Sequence, residues 1–100
     1  MEIRFKTRKL EKQYLNAKEA EKAYGRQVAR KYIQRVTILK QARCFEDLYA
    51  ISVLKLHPLK GDRDGEYAIA LTGFYRLIIR NVGEVYDIVR IEEVSKHYGD

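Results

Sequence analysis

The residues best suited to chemistry lie in the second half of this 100-residue chain. Arg76 stands in an alternating stretch that predicts a strand, and a guanidinium held by a rigid strand can bind a phosphate through two parallel hydrogen bonds. Lys60 lies on a loop between Pro58 and Gly61 and could add a second positive charge. His97 carries a side chain whose ordinary pKa, about 6.5, suits proton transfer near neutral pH. Together, these three side chains could hold a phosphate, stabilise charge on its oxygens and move a proton.

Three further side chains are candidates for substrate binding: His57, Arg80 and Tyr98. Arg80 shares a strand face with Arg76, because alternate residues of a strand point the same way. Tyr98 could stack on a base. Each also has an ordinary structural interpretation: a structural histidine beside a proline, an exposed strand arginine, and a ring packed against the sheet.

Nothing in the sequence indicates a metal ion or a cofactor. Two histidines and one cysteine are too few for a zinc cluster, and neither a Walker loop nor a Ser-His-Asp set is present. The single cysteine, Cys44, excludes an intramolecular disulfide. We therefore expect metal-independent chemistry, with proton transfer by His97, by His57, or by the carboxylate of Glu92 or Glu93.

Positive charge is concentrated in the first half of the chain. The net charge is +6, and between residues 4 and 43 lysine and arginine greatly outnumber glutamate. Such a surface suits a phosphate backbone, although an acidic protein partner could use it too. Arg26, Arg30 and Lys31 are the candidates for this contact. The ordinary alternative is a solvated face of a basic helix.

The hydrophobic pattern predicts one α+β domain over residues 1–100. Two N-terminal helices should pack on a small, mainly antiparallel sheet, as helices do when their apolar faces need covering. The first helix is capped by Thr7, and the second begins at Asn16 and runs to about Gln41, with a possible kink at Gly25. The predicted strands are a short one around Ile3 and Phe5, then Glu66–Leu71, Phe74–Arg80 and Val85–Glu92.

The beginning of the sequence alternates charged and apolar residues and lacks the apolar run of a signal peptide. No apolar run approaches the length of a membrane span. We expect a cytoplasmic protein without a membrane partner.

Three short segments resemble the core signature of HigB-type toxins in the RelE/ParE superfamily: Leu56–Arg63 (LHPLKGDR), Gly65–Tyr67 (GEY) and Phe74–Leu77 (FYRL). The order of helices and strands resembles that family over essentially the whole chain. The resemblance implies a RelE-like fold and a type II toxin that cuts mRNA in the ribosomal A site. Its partners would be the ribosome, mRNA and a cognate antitoxin, usually a helix-turn-helix protein of the HigA kind.

On this interpretation Arg26, Arg30 and Lys31 bind ribosomal RNA, while the remaining candidates cleave or hold mRNA. The family commonly ends in an acidic-Tyr-His terminus, whereas here His97-Tyr98 is displaced and in reverse order. Two other interpretations stay open. One is a non-enzymatic, ParE-like gyrase inhibitor on the same scaffold, which needs no proton-transfer residues. The other is an RNA-binding module without toxicity, which only the composition supports.

Overall fold

The structure is a computed structural model that describes residues 1–96. A first strand and three helices are followed by the strands that complete the sheet. The elements are β1 (Glu2–Phe5), α1 (Arg8–Leu15), α2 (Ala17–Tyr24), α3 (Arg26–Gln41), β2 (His57–Pro58), β3 (Glu66–Ala70), β4 (Tyr75–Asn81) and β5 (Ile88–Lys96). Short 3₁₀ turns occupy Glu46–Ala50, Ser52–Leu54 and Gly61–Arg63. Within residues 1–96, none of the helices is both long and apolar enough to cross a bilayer.

The first two helices begin at side-chain caps. The Thr7 hydroxyl accepts a hydrogen bond from the Leu10 N–H at 3.1 Å, and the Asn16 side chain accepts one from the Lys18 N–H at 3.0 Å. Each cap satisfies a backbone donor that has no partner inside its helix, as the sequence predicted for Thr7 and Asn16.

The predicted long helix from Asn16 to Gln41 is wrong in one respect, because it is two helices. Gly25 has φ +83° and ψ 164°, so it leaves the helical region entirely instead of bending the helix. Its N–H closes α2 on the Glu21 carbonyl at 2.8 Å, and its own carbonyl accepts the first bond of α3, from Ala29 at 3.0 Å. Glycine adopts this positive φ at little cost, which explains the break at this position.

The five strands form one sheet in the order β1-β5-β4-β3-β2. β1 runs parallel to β5, and the other neighbours are antiparallel. The three helices pack against one face of this sheet, which confirms the predicted α+β class. The core between the two layers includes Val28, Tyr32, Val36 and Leu39 of α3 and Ile69, Leu77, Ile79, Val89 and Ile91 of the strands.

The last strand differs from its predicted bounds of Val85–Glu92. The Asn81 side chain accepts hydrogen bonds from the N–H groups of Gly83 and Ile88, and it donates to the carboxylate of Asp87 at 2.9 Å. These bonds hold residues 82–87 as a loop and leave Val85 94% exposed. β5 therefore begins at Ile88, and it continues to Lys96 beside β4.

Candidate functional site

The face of the sheet turned away from the helices, here called the open face, carries three of the candidate residues, His57, Arg76 and Arg80. Directly opposite residues of neighbouring strands share a face. The register therefore places on it His57 of β2, Glu66, Ala68 and Ala70 of β3, Arg76, Ile78 and Arg80 of β4, and Arg90, Glu93 and Ser95 of β5. The predicted alternation of Arg76, Ile78 and Arg80 against Leu77 and Ile79 is confirmed, since the latter two lie in the core.

A chain of ion pairs, here called the ion-pair ladder, crosses the end of the open face where β3 begins. Its links are Arg63–Glu66 at 2.7 Å, Arg63–Glu93 at 2.9 Å, Arg80–Glu66 at 3.7 Å, Arg80–Glu92 at 3.7 Å and Arg90–Glu92. Three arginines face three carboxylates, so the ladder neutralises its own charge. Side chains satisfied in this way are poorly disposed to bind a further anion.

Glu92 is the most buried member of the ladder, with 3% of its side chain exposed. It lies where the pairing of β4 with β5 shifts register between Ile78 and Ile79. Burial acts to raise the pKa of Glu92, but the hydrogen bond from Arg90 and the nearby positive charges outweigh it. The pKa of Glu92 is therefore lower than that of an ordinary glutamate, which favours a charged structural partner over a proton acceptor near neutral pH.

Arg76 is half-buried and differs from every arginine of the ladder. Its Nε atom is buried without a hydrogen-bond partner. Its strand neighbours on the open face are Ala70 on one side and Ser95 on the other, and neither carries a charge. Within residues 1–96, Arg76 makes no ion pair. Its guanidinium is therefore not committed to any carboxylate of the described residues, whereas that of Arg80 already has two carboxylate neighbours.

His57 lies at the edge of the open face, opposite Ala68. The side chain is exposed, and Nδ1 lies 3.1 Å from the Lys55 carbonyl oxygen. If Nδ1 carries the proton and donates to that carbonyl, Nε2 is left as a proton acceptor facing solvent. Strand spacing puts the His57 and Arg76 backbones roughly 12 Å apart, so a substrate could lie between the two side chains.

Lys60 lies at the other end of β3 from Arg76. The Leu59 N–H donates to the Glu66 carbonyl at 2.9 Å, which places Lys60 beside the beginning of β3. Ala70, opposite Arg76, is at the end of that strand, roughly 14 Å further along. The structure thus separates the backbones of Lys60 and Arg76, and only their long side chains could meet at one ligand.

His97 and Tyr98 lie outside the described residues, so their predicted roles stay predictions. β5 extends to Lys96, the last residue that the structure describes. Ser95 is opposite Arg76, and Lys96 is opposite Tyr75. His97 follows Lys96 in the sequence.

The basic surface of α3 lies on the other side of the sheet from the open face. Arg26 and Arg30 are exposed, Lys31 is half-buried, and all three border a surface groove together with Gln27, Ile33 and Gln34. None of the three makes an ion pair with another residue of the described range. This arrangement would let one protein contact two separate stretches of polyanion.

Arg35 is a buried arginine that the sequence analysis did not single out. Only 4% of it is exposed. Its Nε donates to the Ala70 carbonyl at 3.0 Å and its Nη1 to the Gln34 side chain at 2.6 Å, while burial lowers its pKa. The helical spacing does indicate that Arg35 is buried, because position 35 falls on the inward face of α3 together with Val28 and Tyr32.

Within residues 1–96, no three side chains of His, Cys, Asp or Glu come together in a way that could hold a metal ion. The site described so far is an arginine-rich sheet face bordered by one exposed histidine.

Comparison with known proteins connects this arrangement to one class of fold. No family model matches the sequence, and no curated protein matches it. Solved structures do match: the YoeB/ParE toxin from Agrobacterium tumefaciens has a TM-score of 0.65 and 19% identity, covering 98% of this chain and 100% of that one. YafQ from Escherichia coli has a TM-score of 0.62 and 18% identity, with 98% of both chains covered. A mutant of YafQ has a TM-score of 0.57 and 20% identity.

The fold is therefore that of the RelE/YoeB/YafQ-like toxins, with helices on one face of a mostly antiparallel five-stranded sheet. The predicted RelE-like architecture is confirmed. At these identities the likeness extends to the fold, and the HigB branch suggested by the sequence remains a prediction.

Proposed function

We propose that this protein is the toxin of a type II toxin–antitoxin system, a ribosome-dependent and metal-independent endoribonuclease that cleaves mRNA and stops translation. One observation carries the proposal: on the open face of a toxin fold, Arg76 has a buried, unpartnered Nε and no carboxylate neighbour within residues 1–96. An unpaired, half-buried guanidinium is well suited to binding a phosphate.

In the proposed reaction the 2′-oxygen of one nucleotide attacks the adjacent phosphorus. The new O–P bond forms as the bond to the 5′-oxygen breaks, giving a 2′,3′-cyclic phosphate and a free 5′-hydroxyl. Arg76 would stabilise the charge that builds up on the non-bridging oxygens. A rigid donor of this kind typically contributes about 10²–10³-fold in rate.

Two proton transfers must accompany this step. A base takes the proton of the 2′-hydroxyl, and an acid gives one to the departing 5′-oxygen. His57 is a candidate for one of these roles because its Nε2 is unencumbered when Nδ1 donates to the Lys55 carbonyl. His97 is the candidate for the other, and Tyr98 for stacking on a base. Lys60 and Arg80 would bind flanking phosphates, Arg80 only after giving up part of the ion-pair ladder.

The basic surface of α3 would hold the toxin on the ribosome. Arg26, Arg30 and Lys31 point away from the open face, so ribosomal RNA and mRNA could be bound at the same time. We further propose that the protein acts in the cytoplasm and is neutralised by a cognate antitoxin, of the helix-turn-helix HigA kind if the HigB resemblance holds.

The alternative is a non-enzymatic, ParE-like gyrase inhibitor. Two observations favour it: one of the similar structures is a YoeB/ParE toxin, and residues 1–96 bring no two proton-transfer groups together beside Arg76. The two functions differ in what happens to the mRNA.

The deciding experiment is a single-turnover assay of mRNA on programmed ribosomes, run beside a gyrase supercoiling assay. We expect new mRNA ends with a 2′,3′-cyclic phosphate and unchanged supercoiling. Toxin that was treated with EDTA and desalted before it is added to the ribosomes should retain full activity. Intact mRNA together with inhibited supercoiling would replace the main proposal with the alternative.

A further inference from the structure

Phe74 is an exposed aromatic ring at the turn between β3 and β4. Its exposed fraction is 63%, whereas Phe5 is half-buried and Phe45 is buried. A phenyl ring has no polar group for water to hydrate, so an exposed ring gives up the stabilisation that burial provides. Within residues 1–96, no other aromatic ring packs against Phe74. Single exposed apolar side chains are common on proteins, and the neighbours of this ring decide what it can do.

The ring lies on the same side of the sheet as Arg76. Phe74 directly precedes β4, and successive side chains along a strand point to opposite faces. Tyr75, which stands between the two residues, packs against the core. Phe74 and Arg76 are therefore both directed to the open face. Two residues of a strand span roughly 7 Å, so the ring and the guanidinium are neighbours.

Hydrogen bonds hold the turn that carries the ring. The N–H groups of Leu71 and Thr72 both donate to the Tyr75 carbonyl at 3.1 Å. The Thr72 hydroxyl accepts a hydrogen bond from the Phe74 N–H at 3.3 Å. The backbone on both sides of the ring is thus fixed by the hairpin, and only two side-chain torsions remain to be ordered when a ligand binds. An aromatic side chain of this kind binds at a low cost in conformational entropy.

The charge around the ring favours a nucleic acid over a protein partner. Between Tyr67 and Ile79 the only charged residue is Arg76. Its Nε is buried without a partner, and it makes no ion pair within residues 1–96. Proteins that bind single-stranded nucleic acids combine these two elements, because a cation holds a phosphate while an aromatic ring stacks on a base.

We propose that Phe74 stacks on a base of the single-stranded mRNA whose phosphate is bound by Arg76. The identity of the ligand rests on the proposed function, whereas stacking requires only that RNA binds and not that it is cut. Every base has a π-face, so Phe74 contributes affinity without specifying a codon. A base held in this way also fixes the ribose and phosphate attached to it, which positions the RNA backbone beside Arg76.

The first test uses tryptophan fluorescence. The chain contains no tryptophan, so Phe74→Trp introduces a single reporter and keeps an aromatic ring at this position. The ligand is a short single-stranded RNA with 2′-O-methyl groups, which cannot be cleaved through the 2′-oxygen. We expect this RNA to quench the fluorescence along one binding curve. The matched control is Tyr86→Trp, at a position that is 64% exposed in the loop of residues 82–87, and its fluorescence should not change. RNA binding that leaves the fluorescence at position 74 unchanged would overturn the proposal.

The second test compares affinities for the same RNA at several salt concentrations. Phe74→Ala should weaken binding roughly 10-fold and keep the slope of log Kd against log salt, since no phosphate contact is lost. Arg76→Gln should instead lower that slope by about 0.7. Phe74→Leu should bind as weakly as Phe74→Ala, because leucine is apolar but cannot stack, and Tyr86→Ala should bind like the wild type. Wild-type affinity in either Phe74→Ala or Phe74→Leu would reject stacking.

These results separate the stacking residue from the proposed function. If RNA binding depends on Phe74 but programmed ribosomes leave mRNA intact, the stacking residue stands and the ribonuclease proposal fails. If mRNA is cut but Phe74→Ala binds RNA like the wild type, the ribonuclease stands and stacking is rejected. If the wild-type protein does not bind the RNA at all, stacking is also rejected, and the mRNA assay still decides the ribonuclease. Should Phe74→Ala fail to fold, the Phe74→Trp titration decides alone.

Discussion

Arg76 and Arg80 lie four residues apart on β4 and point to the same side of the sheet, yet within residues 1–96 only Arg80 contacts carboxylates. The difference follows from their neighbours in the sheet. Arg80 is opposite Glu66 on β3 and lies beside Glu92, whereas Arg76 is opposite Ala70 and Ser95. One strand thus holds a structural arginine and an arginine available to a ligand.

Replacing Arg76 should therefore affect catalysis more than binding. We expect Arg76→Ala to lower the single-turnover rate of mRNA cleavage by roughly 10²-fold or more, because the charge it stabilises grows in the transition state. Arg76→Lys should restore only part of the rate, since an ammonium group cannot form the same paired hydrogen bonds. The control is Arg43→Ala, which removes an exposed arginine that pairs with Asp47 and does not belong to the ion-pair ladder. A rate for Arg76→Ala within a few-fold of wild type would remove it from the active site.

Glu92 should control stability, especially in acid. Its pKa is lower in the folded protein than in the unfolded chain, so the stabilisation is present above the unfolded value and is lost as the pH falls through the folded value. We expect the free energy of unfolding to decline below about pH 4.3, and Glu92→Gln to weaken that decline. At pH 7 the same substitution should cost about 1–3 kcal/mol, since it leaves Arg80 and Arg90 without their buried partner. Urea unfolding at several pH values measures both effects, and parallel pH profiles for the two proteins would contradict this role.

The basic surface of α3 should govern attachment to the ribosome. Changing Arg26, Arg30 and Lys31 together to Gln should weaken ribosome binding and flatten its salt dependence, because fewer counterions are released. The free energy of unfolding should change by no more than about 0.5 kcal/mol for each substitution. If the variant binds ribosomes as tightly as the wild type at both low and high salt, the basic surface of α3 does not contact the ribosome.

Truncation after Lys96 tests the tail and keeps every sheet residue that the structure describes. This deletion removes His97 and Tyr98 but retains Ser95 opposite Arg76 and Lys96 opposite Tyr75. We expect cleavage to be abolished and ribosome binding to be kept, because the deletion takes away a proton-transfer group and leaves the α3 surface intact. If the shortened protein cuts as fast as the full chain, proton transfer belongs to His57 or a carboxylate, and His57→Gln becomes the next variant to measure.

Much of the fold could be predicted because hydrophobic periodicity reports burial directly. The alternation of Arg76, Ile78 and Arg80 with Tyr75, Leu77 and Ile79 was sufficient to assign β4 and its two faces. The bounds of β5 could not be found in this way. They depend on the loop held by Asn81 and Asp87, and Asp87 in turn accepts a hydrogen bond from the Phe45 N–H at 2.6 Å, a contact between segments far apart in the sequence.

The residue types of the candidate site could be predicted from the sequence, but the contacts that each of these side chains makes could not. Arg76 and Arg80 look equivalent in sequence, and only the neighbours supplied by β3 and β5 distinguish them. Arg35 was missed because an arginine is normally read as a surface residue, although its spacing places it on the inward stripe of α3. Its partner Ala70 is 35 residues away, which no local pattern reveals.

The parallel pairing of β1 with β5 has a consequence for how the protein is made. β1 lies at the edge of the sheet and its one strand neighbour is β5, the last strand of the described chain. The amino group of Met1 donates hydrogen bonds to the carbonyls of Lys40 and Ala42 at the end of α3. During synthesis the helices can form early, but β1 must wait for β5 before its ladder exists, and such distant pairings form slowly. β5 also supplies Ser95 beside Arg76, so the open face is assembled only when this last strand docks. The face that carries Arg76 is thus incomplete until all residues of β5 have been made.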